Sequence, residues 1–130
     1  MAEKPTALRV LIVDDEPLIR WSLAETLADA GHIVAEAGNA ESTVRTLADS
    51  QFDVVLLDYR LPDSNDLNLL STIRRLSPQC AVIMMTAYGT PEVAQGAIAL
   101  GAYRIVPKPF EVREMADLVL QAHASRVTAT

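Results

Sequence analysis

Apolar residues fall along this chain in two alternating patterns. Short, nearly continuous apolar runs occur at Leu8 to Val13, at Asp53 to Leu57 (DVVLL) and at Ala81 to Met85, as in strands covered on both faces. Between them, apolar positions recur every three or four residues, the spacing of a helix with one buried face. The first helical stretch opens at Pro17, whose missing N–H costs nothing at the first helical position. It sets Ile19, Leu23, Leu27 and Ala30 on one face and ends at Gly31. Asn39 is placed as the N-cap of a second helix carrying Val44, Leu47 and Ala48. A third spans Asp66 to Leu76, with Leu69, Leu70 and Ile73 inward, and Thr90-Pro91 caps and opens a fourth that reaches Leu100. A fifth runs from Glu111 to about Ala124, burying Val112, Met115, Leu118, Val119 and Ala122. Two weaker strands, His32 to Glu36 and Arg104 to Val106, complete the alternation.

Five strand–helix units with short connections predict an α/β domain, a parallel sheet sandwiched between helices and linked by right-handed crossovers. Residues 9–124 are expected as one domain, with a lead-in at 1–8 and a frayed tail at 125–130. A length of 130 residues suits a single domain, and 50% hydrophobic with 22% charged residues excludes a disordered chain. The longest apolar runs are too short for a membrane span, and MAEKPTALRV lacks the apolar stretch of a secretion signal. One cysteine, Cys80, cannot form an internal disulfide. A cytoplasmic protein with no membrane partner is expected. The net charge of -6 lacks the basic stripe that phosphate-backbone contact requires, so this chain is not expected to bind nucleic acid directly.

In open parallel sheets, ligands bind outside the carboxyl ends of the strands. After the first strand come Asp14, Asp15 and Glu16. After the third comes Asp58, after the fourth Thr86 and Ala87, and after the fifth Pro107, Lys108 and Pro109. The second strand ends in Ala37-Gly38 and contributes nothing obvious, as an edge strand would. Packed carboxylates repel one another unless a cation sits among them, and oxygen-only ligands suit Mg²⁺. Asp14, Asp15 and Asp58 supply three negative charges and Lys108 returns one positive charge, so a site with Mg²⁺ is near neutral and can accept a phosphoryl group. A carboxylate is a competent covalent acceptor, and Asp58 is the candidate because it follows a central strand and faces the acidic pair. The Lys108 ammonium suits one phosphoryl oxygen and the Thr86 hydroxyl another.

The segments LIVDDEP, VVLLDYRLPDSNDL, VIMMTAYG and GAYRIVPKPF, in this order, closely resemble the receiver domain of bacterial two-component response regulators. The resemblance covers about Arg9 to Ala122. It implies a flavodoxin-like (βα)5 doubly wound sheet of order 2-1-3-4-5. It implies Asp58 as phosphoacceptor from a sensor histidine kinase, with Asp15 binding Mg²⁺ directly and Asp14 directly or through water. The backbone carbonyl of Arg60 completes the metal ligands, Lys108 pairs with the phosphoryl, and Thr86 hydrogen-bonds it and moves on activation. The Lys108–Pro109 bond is expected to be cis. The implied protein is a self-catalysed switch rather than an enzyme, regulating an output, transcription above all, through the face of the fourth helix, fifth strand and fifth helix. Arg104, Glu111, Arg113 and Asp117 lie on or near that face, which admits a phosphorylation-dependent homodimer. IRWSL and VPKPF are similar to receivers of nitrogen-regulator-type, sigma-54-dependent activators.

Two positions depart from the family pattern. Ile105 stands where an aromatic is usual, and the nearest aromatic, Tyr103, is expected on the opposite side of the strand. Asp66 replaces a common glycine and is expected to cap the third helix instead. Arg60 and Tyr88 flank the approach of water and, being bulky, predict slow hydrolysis of the phosphorylated form. Ala87, Ile105 and Pro109 are further modulating positions. Two other functions fit a parallel sheet with acids at one end. A small phosphohydrolase working through an aspartyl-phosphate needs a second acid and a substrate pocket, and neither is evident. A flavin carrier needs a Ser/Thr-rich phosphate loop where this chain has DDEP. His32 and His123 lack partner motifs, Met84 and Met85 suit strand packing, Trp21 is expected partly exposed, and Cys80 is expected to be a partly buried thiol without function.

Overall fold

A computed structural model describes residues 7–64, 67–87 and 89–128. The elements are β1 (Arg9–Val13), α1 (Pro17–Asp29), β2 (Ile33–Ala37), α2 (Ala40–Asp49), β3 (Val54–Asp58), α3 (Asn68–Leu76), β4 (Ala81–Thr86), α4 (Pro91–Ala99), β5 (Arg104–Pro107) and α5 (Val112–Thr128). All strand pairs are parallel and the order is β2-β1-β3-β4-β5, as expected. Among the described residues no helix is long and apolar enough to cross a membrane.

Strand alternation splits the core into two layers. Leu11, Val13, Val55, Leu57, Val82 and Met84 face Leu47 of α2, Leu69, Leu70 and Ile73 of α3, and Ala97 of α4. Val10, Ile12, Val54, Leu56, Ile83 and Met85 face Leu23 and Leu27 of α1 and Met115, Val119 and Ala122 of α5. Each fully buried Leu, Ile, Val or Met side chain stabilises the fold by roughly 1.5–3 kcal/mol of transfer free energy. The three central strands therefore form the rigid base on which their carboxyl ends stand.

The local signals act largely as expected. Asn39 accepts from Ser42 N as the N-cap of α2, and Thr90 accepts from Val93 N as that of α4. Gly31 takes a left-handed φ of 95° just past α1, a conformation that disfavours a Cβ. Cys80, expected to be partly buried, is instead fully buried, and burial pushes its thiol pKa upward. Trp21 is 59% exposed.

Several expectations are corrected. Ala30 is exposed because it caps α1 rather than extending its buried stripe. In α2, Thr43 rather than Ala48 lies inward beside Leu47, its hydroxyl satisfied by Asn39 O at 2.8 Å. The helix α3 starts at Asn68, with Leu67 at the cap position, and Asp66 lies outside the described residues. Of the expected tail, residues 125–128 continue α5 as its last turn, and 129–130 lie outside the described residues. Arg126 holds that turn down by donating from Nη2 to Pro78 O at 3.1 Å and from Nε to Cys80 O at 3.3 Å.

His32 is buried where β2 begins, and its Nδ1 accepts from Leu8 N at 3.0 Å. Burial holds its pKa below the ordinary 6.5. The folded chain thus binds fewer protons here than the unfolded chain, so this contribution is full above about pH 6.5 and is lost as pH falls. Urea denaturation of His32→Leu against the wild type should show a loss of about 1–3 kcal/mol at pH 7.5, for the orphaned Leu8 N–H. The gap should narrow by pH 5, because only the wild type carries the histidine's proton linkage. A gap independent of pH would contradict this role.

Candidate functional site

The carboxyl ends of β1, β3, β4 and β5 meet at one edge of the sheet. Asp58 and Thr86 are the last residues of β3 and β4 rather than turn residues, so strand pairing fixes their backbones. Asp58 lies opposite Met85, and Thr86 opposite Pro107. Lys108 N donates to Thr86 O at 2.9 Å and so extends the β4–β5 ladder by one bond. The Lys108–Pro109 peptide is cis, as expected.

The Lys108 ammonium stands at the centre. It donates to Asp14 Oδ2 at 2.8 Å and lies 3.4 Å from both Asp58 Oδ2 and Glu16 Oε1. The Asp14 side chain is fully buried, its Oδ1 accepting from Glu16 N at 2.9 Å. Asp58 Oδ1 accepts a long bond from Arg60 N at 3.4 Å. A cleft of about 310 Å³ opens over these groups, lined by Asp15, Glu16, Asp58, Arg60, Thr86, Ala87 and Lys108.

Electrostatics follow from this packing. The carboxyl of Asp58 is pushed up to about 6, first by burial and then by the charge of Asp14, while Lys108 and the Arg60 N–H pull the other way. Burial works against the charge on Lys108, yet its pKa is raised, because its hydrogen bond to Asp14 and the charges of Asp14, Asp58 and Glu16 outweigh that loss.

Asp14, Asp15 and Glu16 can each present a carboxylate oxygen with all three atoms within 4.8 Å of one another. An oxygen-only donor set of this kind fits a hard cation such as Mg²⁺. Glu16 was not among the metal ligands expected from sequence, although the run of three consecutive acids was its signal. Asp58 meets this cluster across the Lys108 ammonium, so the expected set of Asp14, Asp15 and Asp58 is brought to one cleft but not to one tight cluster.

Of the modulating positions, Ala87 lines both the cleft and an adjoining apolar groove of about 460 Å³, and Pro109 lines only that groove, with Leu18, Ile19 and Phe110. Tyr88 lies outside the described residues. Ile105 packs on the layer under α2, α3 and α4, and Tyr103 on the layer under α1 and α5. Strand alternation does not separate them, since residues two apart share a face. Tyr103 instead precedes β5, which begins at Arg104.

The sequence matches the response regulator receiver domain family over residues 10–120. It is similar to the DNA-binding transcriptional regulator NtrC of Azospirillum brasilense, 37% identical over 117 residues, which are 90% of this chain and 24% of that protein. The chain thus spans about a quarter of the length of this curated relative. A CheY-like response regulator receiver domain protein from Methanospirillum hungatei JF-1 shares the fold with a TM-score of 0.90 at 26% identity, covering 96% of this chain and 100% of that one. The beryllofluoride-activated NtrC4 receiver domain dimer, solved in solution, gives 0.85 at 32% identity, covering 91% and 98%.

A carboxyl whose pKa is raised on folding destabilises the fold as pH climbs from the unfolded value of 3.8 through about 6. Asp58→Asn should therefore stabilise metal-free protein at pH 7.5 by on the order of 2–3 kcal/mol. The gain should vanish near pH 4, where wild-type Asp58 is protonated. Denaturant titrations in EDTA at the two pH values check this, and an equal or negative effect at pH 7.5 would refute the electrostatic account.

Proposed function

The chain belongs to the response regulator receiver domain family, and from that premise we propose that Asp58 is its phosphoacceptor. The observation that carries this assignment is the meeting of a strand-end carboxylate with a lysine ammonium 3.4 Å away, beside a cluster of three further acids. The donor is the phosphohistidine of a sensor histidine kinase. An Asp58 carboxylate oxygen bonds to phosphorus as the phosphorus–nitrogen bond of the phosphohistidine breaks, and the released imidazole takes up a proton from solvent. Lys108 balances one oxygen of the transferred group, and the Thr86 hydroxyl donates to another.

Asp14, Asp15, Asp58 and the carbonyl of Arg60 would hold Mg²⁺, with Glu16 beside them. The cation supplies the positive charge that lets an anionic phosphoryl enter an acidic cleft. Asp14 already gives both carboxylate oxygens to protein donors, Glu16 N and the Lys108 ammonium. With both oxygens so occupied, Asp14 would reach the metal through water, while Asp15 would bind it directly.

Phosphorylation gives Lys108 a new anionic partner, and its attachment to the β4–β5 ladder carries the change to the face of α4, β5 and α5. That face regulates an output, and the similarity to NtrC supports transcription as that output. The beryllofluoride-activated NtrC4 receiver is a dimer, which supports a phosphorylation-dependent dimer of this chain. Arg60, which lines the cleft, crowds the approach of water and slows the loss of the phosphoryl group. A phosphohydrolase is the less favoured alternative, because among the described residues no second acid stands beside Asp58 other than the acids assigned to the cation.

Incubation with Mg²⁺ and acetyl phosphate, followed by intact mass measurement, should show one added phosphoryl group. The adduct should be absent in Asp58→Asn and in EDTA. Lys108→Ala should accumulate it about 10²-fold more slowly, the usual cost of removing one preorganised charge donor. An adduct that persists in Asp58→Asn would refute the assignment.

A further inference from the structure

The helix α1 carries an arginine whose side chain turns back toward the acidic loop. Arg20 Nη1 donates to the backbone carbonyl of Asp14 at 2.7 Å, and its Nε donates to Glu36 Oε1 of β2 at 3.1 Å. Its side chain is 23% exposed and that of Glu36 44%, so the bond to the Asp14 carbonyl is the more sheltered of the two. The guanidinium lies against Gly38, where a Cβ would stand 3.2 Å from Nη1. The end of β2 also holds the loop directly, since Ala37 O accepts from Asp14 N at 3.1 Å. The edge strand that contributes no side chain to the cleft thus supplies the seat, the brace and a backbone anchor for the loop that does.

The carbonyl that Arg20 grips belongs to the peptide plane joining Asp14 to Asp15. Fixing that plane fixes the Cα of Asp15 and the direction in which the next two carboxylates leave the chain. Three consecutive acids repel and would otherwise spread the loop toward solvent. A planar guanidinium can bridge two acceptors on two elements, which a single ammonium on a flexible stem does not reproduce. Partners one step removed from a metal orient its ligands and set its affinity.

We propose that Arg20, seated on Gly38 and braced by Glu36, is a positioning residue that holds the Asp14–Asp15 peptide and thereby sets the divalent-cation affinity of the acidic cluster. This rests on the assignment of that cluster to Mg²⁺. Calorimetric titration with Mg²⁺ should show binding weakened about 10-fold in Arg20→Ala. Arg20→Lys should not restore it. Gly38→Ala, which keeps every charged group, should weaken binding in the same direction by a smaller factor, because the added Cβ shifts the guanidinium. In an Arg20→Ala background Gly38→Ala should have no further effect, the non-additivity expected of residues acting through one contact. In metal-free protein, the amide NMR resonances of Asp15 and Glu16 should move in both single variants, while those of β4 stay in place. Wild-type affinity in Arg20→Ala, or independent, additive effects of the two substitutions, would overturn the inference alone. Failure of the wild type to bind Mg²⁺ would overturn the metal assignment and the inference with it. Should Arg20→Ala not fold, Gly38→Ala decides, and wild-type affinity there refutes the role.

Discussion

Everything at the functional end of this molecule depends on one ammonium group shared among carboxylates. Lys108 stands 2.8 Å from Asp14 and 3.4 Å from both Asp58 and Glu16, in a cleft whose inner walls are buried. Without it, the folded chain would hold several like charges together at low dielectric, a cost that burial alone could not offset. With it the site still holds more carboxylates than cations, and burial together with the charge of Asp14 keeps the Asp58 carboxyl raised. The resulting deficit is what makes the cleft fit for a divalent cation and, once that is bound, for an anion.

The fold tolerates this because the two demands are separated in space. Alternating side chains of β1, β3 and β4 fill two apolar layers along the strands, and only the strand ends carry polar chemistry. Asp58 and Thr86 close β3 and β4 within the ladder itself, so the hydrogen bonds that make the sheet also aim the site. The outer strand β2 contributes through its backbone and through Glu36, which restrain Asp14 by way of Ala37 O and Arg20.

Much of this was legible in the sequence, for identifiable reasons. Covered parallel strands leave continuous apolar runs, and Pro17, Asn39, Gly31 and Thr90 mark helix ends by local chemistry alone, so the alternation and the strand ends could be read directly. Asp14, Asp58, Thr86 and Lys108 were found because the rule that sites lie beyond strand ends needs only the strand positions. What escaped was long-range. No periodicity tells that Arg20 turns back over Gly38, that Arg126 docks onto Pro78 and Cys80 and so extends α5, or that Thr43 takes the buried place expected of Ala48. Glu16 escaped for a different reason: a strand–loop junction does not reveal which of three consecutive acids turn into the cleft.

The position of Lys108 also explains why a switch is a natural use of this arrangement. The residue is tied at two points: its backbone N–H to Thr86 O, and its side chain to Asp14. It follows directly on β5, the one strand besides β2 with a single neighbour in the sheet. A new anion on Asp58 would compete with Asp14 for the ammonium, and any shift of the lysine would be passed to the strand with fewest ladder bonds to resist it. The central strands β1 and β3, paired on both sides and buried on both faces, would hold still. A local exchange of ion partners would thus reach the surface at the edge of the sheet, where Ile105 is only partly buried and α4 and α5 flank it, rather than dissipate through the core.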